Sequence, residues 1–204
     1  ISAGAGAGTS GGTVFFGVKE NNYLGRGVSL DTNATISEET FKGIFSMTDP
    51  NYKNTDKVVY GSVQAIERDQ LSNFGYKTNK TGFKIGTKLE YLDDFFLGIS
   101  TDSFYEKIET DATASLRQKS QEGNYWDTFI NFDFDYDKRN QKYKTTSGFI
   151  SNYSTQLPLI SDTNTLTNSY LYKVYSELYE NNVTSLSIYL KSANSISGND
   201  IKLS

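Results

Sequence analysis

Apolar and polar residues alternate along almost the whole chain. Between Arg26 and Ser37 one face reads Val28, Leu30, Thr32, Ala34, Ile36, and the other reads Ser29, Asp31, Asn33, Thr35, Ser37. From Gly82 to Tyr91, the residues Phe83, Ile85, Thr87, Leu89 and Tyr91 stand against Gly82, Lys84, Gly86, Lys88 and Glu90. The sharpest case is Asp127 to Asp137. Thr128, Ile130, Phe132, Phe134 and Tyr136 share one face, while Asp127, Phe129, Asn131, Asp133, Asp135 and Asp137 share the other. A helix would scatter these residues around its axis, so the period of two predicts strands. The pattern places eleven of them, near 1–8, 13–19, 27–36, 40–48, 57–67, 81–91, 95–109, 126–137, 148–157, 169–180 and 183–194. Most exceed the ~5–6 residues usual in globular sheets and suit the ~9–11 that cross a bilayer obliquely.

The connections predict which kind of β-protein this is. From the second strand on, every other link reads as compact: Glu20–Arg26, Asp49–Asp56, Leu92–Asp94, Lys138–Ser147 and Asn181–Asn182. The alternate set includes two long polar stretches, Arg68–Lys80 and Thr110–Tyr125. Short links at one end and long loops at the other are expected of an outer-membrane barrel, not of a soluble sandwich. The face with four aspartates on 127–137, joined by Lys84, Lys88 and Glu90, must be wet, as a lumen is. Tyr23, Tyr91, Phe95, Trp126, Tyr136, Phe149 and Tyr179 stand near strand ends, where two membrane interfaces would place aromatic girdles.

Composition removes whole classes of chemistry. The 204 residues include no His and no Cys, which excludes imidazole or thiol catalysis, disulfides and ordinary zinc, copper or haem sites. Ser and Thr are plentiful but have no histidine to activate them, so the chain is not expected to be an enzyme. A net charge of −4 provides no electrostatic footprint for nucleic acid. Asp133, Asp135 and Asp137 share a face, but a strand spaces them ~6.5–7 Å apart, so they read as lumen lining and no metal or cofactor is expected. Mean hydropathy is −0.52 and no apolar run reaches the ~18 residues of a membrane helix. A barrel escapes that test because its two faces average out. Tyr (15) and Phe (13) with little Pro (2) form a β composition, which by itself leaves a soluble sandwich or a barrel open. The only methionine is Met47 and the chain opens at Ile1, so a piece of a longer or processed chain is expected.

Three segments carry a resemblance. Glu20-Asn21-Asn22-Tyr23-Leu24-Gly25-Arg26-Gly27 resembles the (E/D)NN(F/W/Y)LGxG turn of the BamA family of outer-membrane protein assembly factors. Ser46-Met47-Thr48-Asp49-Pro50-Asn51-Tyr52 is similar to that family's S(F/V)T(D/N)PYF segment, with Asn51 departing from it. Asp137-Lys138-Arg139-Asn140 through Tyr143 to Thr146-Ser147-Gly148-Phe149 resembles its D…RD…(F/Y)PTxG turn. There Asn140 replaces an acidic residue and Thr145 replaces the proline. In plain physical terms, Gly25 and Gly27 admit positive φ in a tight link, and Asp49-Pro50 ends a strand.

The resemblance implies an all-β, antiparallel up-and-down transmembrane barrel of which 1–204 is the N-terminal part, about eleven of sixteen strands. POTRA repeats and C-terminal strands would lie outside it, and a long sixth loop would begin around Ala193–Ser204. Open in hydrocarbon at both edges, such a strand set should not fold alone. The implied function is folding and inserting outer-membrane proteins in the outer membrane of a diderm bacterium. The implied partners are unfolded outer-membrane proteins, assembly-machinery lipoproteins reached through the POTRA region, and outer-membrane lipids. Ile1-Ser2-Ala3-Gly4-Ala5-Gly6-Ala7-Gly8 reads by itself as a Gly/Ala linker. The resemblance makes it the first strand, a weak lateral seam that pairs with clients through its backbone. Rivals are a porin-like channel, a two-partner secretion or TamA-like transporter, and a soluble adhesion domain. Arg117, Lys119, Arg68 and Lys77 are scattered among acids and support no separate role.

Overall fold

The computed structural model describes residues 1–8, 11–162, 164–180 and 182–198. Eleven strands form one antiparallel sheet in which each strand neighbours the next in sequence. They are β1 (Ser2–Gly8), β2 (Gly11–Tyr23), β3 (Val28–Ser37), β4 (Thr40–Asp49), β5 (Lys57–Gln70), β6 (Tyr76–Leu92), β7 (Phe95–Thr110), β8 (Gly123–Asp137), β9 (Gly148–Ile160), β10 (Thr165–Tyr179) and β11 (Asn182–Ser195). β1 and β11 are the two edges. Two single-turn helices, α1 (Leu71–Phe74) and α2 (Leu116–Lys119), and a 3-10 turn at Tyr52–Asn54 lie in the links. No helix among the described residues is long and apolar enough to cross a membrane.

Burial is inverted relative to a water-soluble domain. Most of the least exposed side chains are polar ones on the inner face, including Ser100 and Glu106 at 3% and Asp102 at 5%. The outer face exposes Val63 at 53%, Ile85 at 59% and Leu190 at 61%. Register explains the sorting. Asp102, Lys84 and Ser62 lie in one cross-strand row, and Thr101, Ile85 and Gly61 lie in the next. Because the side-chain period is two, the strands turn their more polar set inward along the apolar band. A face this apolar is stable only against lipid.

An outward aromatic row supports that assignment. Phe95 meets Tyr136 at 6.3 Å, Tyr136 meets Phe149 at 5.6 Å, and Phe149 meets Tyr172 at 5.7 Å. Near the opposite end Tyr105 lies 6.4 Å from Trp126. Two aromatic levels flanking an apolar band mark two interfaces.

The expected contrast in loop length is not found. The links 24–27, 50–56, 93–94 and 138–147 at one end are matched at the other by 38–39, 71–75 and 111–122. Most of Arg68–Lys80 is strand, and only 71–75 separates β5 from β6. Both faces are wet there, so polarity marks the end of the apolar band and not the end of the sheet. Lys77 bridges Glu67 at 2.6 Å and Asp69 at 3.3 Å across the ladder. β2 likewise continues through Asn21 and Asn22, residues expected in a turn. Of the Asn181–Asn182 link, Asn182 opens β11 and Asn181 lies outside the described residues. Of the loop expected from Ala193, Ala193–Ser195 belong to β11, and 199–204 lie outside the described residues.

The longest link among the described residues, 111–122, is well tied. Ser115 and Gln118 form a capping box on α2, and Gly75 of the β5–β6 tip accepts the Asp111 N–H at 2.8 Å. The hydroxyl and N–H of Thr113 hold the Asp111 carboxyl below the usual carboxylate range.

Candidate functional site

Among the described residues β1 is hydrogen-bonded to β2 alone, with Ala3 opposite Phe16, Gly4 opposite Phe15 and Ala5 opposite Val14. Ile1 precedes the strand and is almost fully exposed. Alanines 3, 5 and 7 share the outward rows of β2, and the glycines share the inward ones. The glycines have different surroundings. A Cβ at Gly4 would stand 2.2 Å from Phe15 Cε1, so the Phe15 ring lies across Gly4 and covers its bare backbone. A Cβ at Gly6 would meet nothing within 4 Å. One aromatic contact and a weak Ser2 Oγ to Gly17 carbonyl bond (3.5 Å) supplement the ladder of β1. Along the far edge, its main-chain groups meet no strand among the described residues. Such an edge is a template for another strand.

The three turn segments, in the β2–β3, β4–β5 and β8–β9 links, all lie at one end of the sheet. In the first, the Asn22 side chain accepts Gly27 N–H at 2.7 Å and its carbonyl accepts Gly25 N–H at 3.0 Å. Leu24, Gly25 and Gly27 all have positive φ (53°, 69° and 71°). In the second, Thr48 and Asp49 close β4, and Asp49 Oδ1 accepts the N–H of Asn51 at 3.1 Å beyond Pro50. In the third, Asn140 Oδ1 accepts the N–H groups of Thr146 and Ser147, both at 3.2 Å, while its amide donates to Thr146 Oγ1 at 2.8 Å. Sequence reading treats Asn140 as a departure from pattern; it is the hub of this turn. Asn140→Ala should cost about 1–2 kcal/mol of turn stability, whereas Asn140→Asp keeps both acceptors and should cost far less. Thermal unfolding of the complete barrel would rank the two, and an equal loss would remove Asn140 from that role.

The inner wall is a lattice in which the carboxylates have separate partners. Asp135 receives Lys88 and Asn152, and Asp133 receives Ser154. Asp102 receives Asn131 and, at 3.4 Å, Gln156, while Asp137 receives Arg139 at 2.6 Å. Among the described residues no group of three acidic side chains is placed to hold a metal ion. Beyond the strand ends, Asp94 accepts from Lys138 at 2.7 Å and raises the lysine's pKa. The Asp137 carboxylate likewise raises that of Arg139. These side chains bind one another across the inner wall.

With the strand order, inverted burial and aromatic levels established, one sequence match is decisive. The Omp85 superfamily domain matches residues 22–204. The chain belongs to the Omp85 superfamily. No curated protein matches it. Among solved structures, BamA from Haemophilus ducreyi lacking POTRA domains 1–3 superposes with a TM-score of 0.75 over 98% of this chain, at 18% identity. The chain covers 41% of that structure, about two-fifths of its length. At that identity the likeness concerns the fold, which is part of an up-and-down β-barrel of the BamA type. The match to the Omp85 domain begins at Asn22, at the end of β2, so β1 and most of β2 lie outside it.

Several contributors of this Omp85 chain were missed in the sequence. Phe15 gains its role only through register, which sets it opposite Gly4. Asn131, Gln156 and Ser100 build the lattice around Asp102 from three strands. No spacing within one strand could reveal these contacts, although the bulky inward Phe15 facing a glycine-rich strand was a readable hint.

Proposed function

We propose that the chain is the N-terminal part of a BamA-like barrel that folds and inserts other outer-membrane proteins, without catalysis, cofactor or metal. The observation that carries this reading is β1, whose side chains are minimal and whose outer edge has no strand partner among the described residues. A client strand would add to that edge by main-chain hydrogen bonds, which accept many sequences because side chains contribute little. Glycine adds entropy to the unpaired strand, so the seam opens at low cost. The residues of the seam are Ile1, Ser2, Ala3, Gly4, Ala5, Gly6, Ala7 and Gly8. The turn residues Asn21, Asn22, Tyr23, Leu24, Gly25, Gly27, Thr48, Asp49, Pro50, Thr146, Ser147 and Gly148 hold the strand ends in register. Partners on this reading are unfolded outer-membrane proteins, lipoproteins recruited through POTRA repeats, and outer-membrane lipids, in a diderm bacterium. The test is a cysteine at Ala3, Ala5 or Ala7 of the complete protein, presented to a client barrel stalled during assembly. Disulfide crosslinks should form at these positions and not at outward sites of β5. Crosslinks confined to other strands, or none in an actively assembling complex, would show that the seam does not receive clients.

A further inference from the structure

The barrel plan asks for polar side chains on the inner face, and β2 departs from it at Phe15. This ring shares its face with Thr13, Gly17 and Lys19, and stands opposite Thr35 on β3. It leans toward the other neighbour, over Gly4 of β1, with Cε1, Cζ and Cδ1 at 2.2, 2.5 and 3.2 Å from where a Cβ would stand. A second contact lies one inward row away. There Ser2 Oγ comes to 2.7 Å from the place of a Gly17 Cβ, and its hydroxyl donates to the Gly17 carbonyl at 3.5 Å. The two contacts are reciprocal, because a side chain of each strand fills the space left by a glycine of the other. Toward Gly6, opposite Thr13, this cover stops.

Placement along the hairpin gives these contacts their weight. Residues 9–10 join β1 to β2 covalently at one end, so separation begins at the other, where Ser2 faces Gly17. Fraying costs least at strand ends, and both glycine contacts sit at this one. We infer that Phe15 is a clamp that keeps β1 on β2 while the opposite edge of β1 exchanges partners, so that a client adds beside β1 and does not replace it. The inference rests on the seam reading of β1 given above. Without the ring the two edges of β1 would be nearly equivalent, since a client strand offers the same main-chain bonds as β2. An aromatic laid over a bare strand glycine breaks that equivalence. Phe15 is thus a positioning residue that acts through β1.

Amide hydrogen exchange of residues 2–8, in nanodiscs of the complete protein without client, reads the opening of β1. Phe15→Ala should speed exchange about fivefold, the scale of one strong cross-strand pair, and Phe15→Tyr, which keeps the ring, should restore it. Neither Gly4 nor Gly6 has a positive φ, so alanine at either is judged by space. Gly4→Ala expels the ring and should speed exchange. Gly6→Ala should slow it about twofold by restricting the opened strand. Unchanged exchange in Phe15→Ala, or no restoration by tyrosine, would overturn the clamp. If Phe15→Ala does not fold, the glycine variants decide, and equal rates for the two overturn it. With a stalled client, cysteines at Ala5 and at Val14, its partner on β2, report which strand the client meets. Crosslinks should form at Ala5 in the otherwise unsubstituted protein and move toward Val14 in Phe15→Ala. Crosslinks that stay at Ala5 in Phe15→Ala would overturn the clamp and leave the seam intact. None at Ala5 with Phe15 in place would remove the seam, and with it the clamp's part in client addition.

Discussion

Proline in β1 of the complete protein is expected to cut client assembly by on the order of a hundredfold at one of the two neighbouring positions Ala5 and Gly6. Successive strand residues direct their N–H groups to opposite edges, so one proline removes a donor facing β2 and the other removes a donor on the free edge. Proline's φ is tolerated on an edge strand, and the barrel should persist. A client carbonyl left unpaired in hydrocarbon costs several kcal/mol, and each ~1.4 kcal/mol is a factor of ten. The position that keeps β1 on β2 yet loses assembly identifies the client-facing donors. Pairing of β1 with β2 would be read from a disulfide between cysteines at Ala3 and Phe16, which are cross-strand partners. If both prolines assemble clients at the unsubstituted rate, β1 is not the receiving edge.

Gly148→Ala should be among the most damaging single-methyl additions in the chain. Gly148 opens β9 with φ of +97°, outside what L side chains readily adopt, and an added Cβ would stand 2.1 Å from the Lys138 carbonyl oxygen. That neighbour is backbone, held in the turn by the Lys138 N–H to Phe149 carbonyl bond at 2.8 Å, so it cannot step aside cheaply. Strain and overlap together should cost about 3 kcal/mol or more. Gly25 is the matched control, with φ of +69° and nothing within 4 Å of its added Cβ. Gly25→Ala should cost only about 1 kcal/mol. The midpoint of heat-induced loss of the compact barrel band in gel electrophoresis would compare them. Equal midpoints would mean the turn at 138–148 can move as a unit.

How much of this was readable depended on whether the two faces of a strand differ. β8 was legible because Phe132 and Phe134 face lipid while Asp133 and Asp135 face the lumen. Beyond the apolar band that contrast vanishes, and Arg68 to Lys80 looked like a loop although the ladder continues through it. The aromatic level was half-legible. Phe95, Tyr136 and Phe149 stand at strand ends in the sequence, but Tyr172 joins them only through pairing with Ser151, beside Phe149. The same limit hid Phe15 over Gly4.

The continuation of β5 and β6 past the apolar band bears on how this segment can change in length over evolution. A disordered loop absorbs an extra residue without consequence. Here, one residue inserted near Thr78 would exchange the two faces of everything between it and the tip, unless a bulge formed. Lys77 would then leave Glu67 and Asp69 and turn toward the lumen. Homologues should therefore vary by two residues at a time within 68–80, and by single residues only at 71–75.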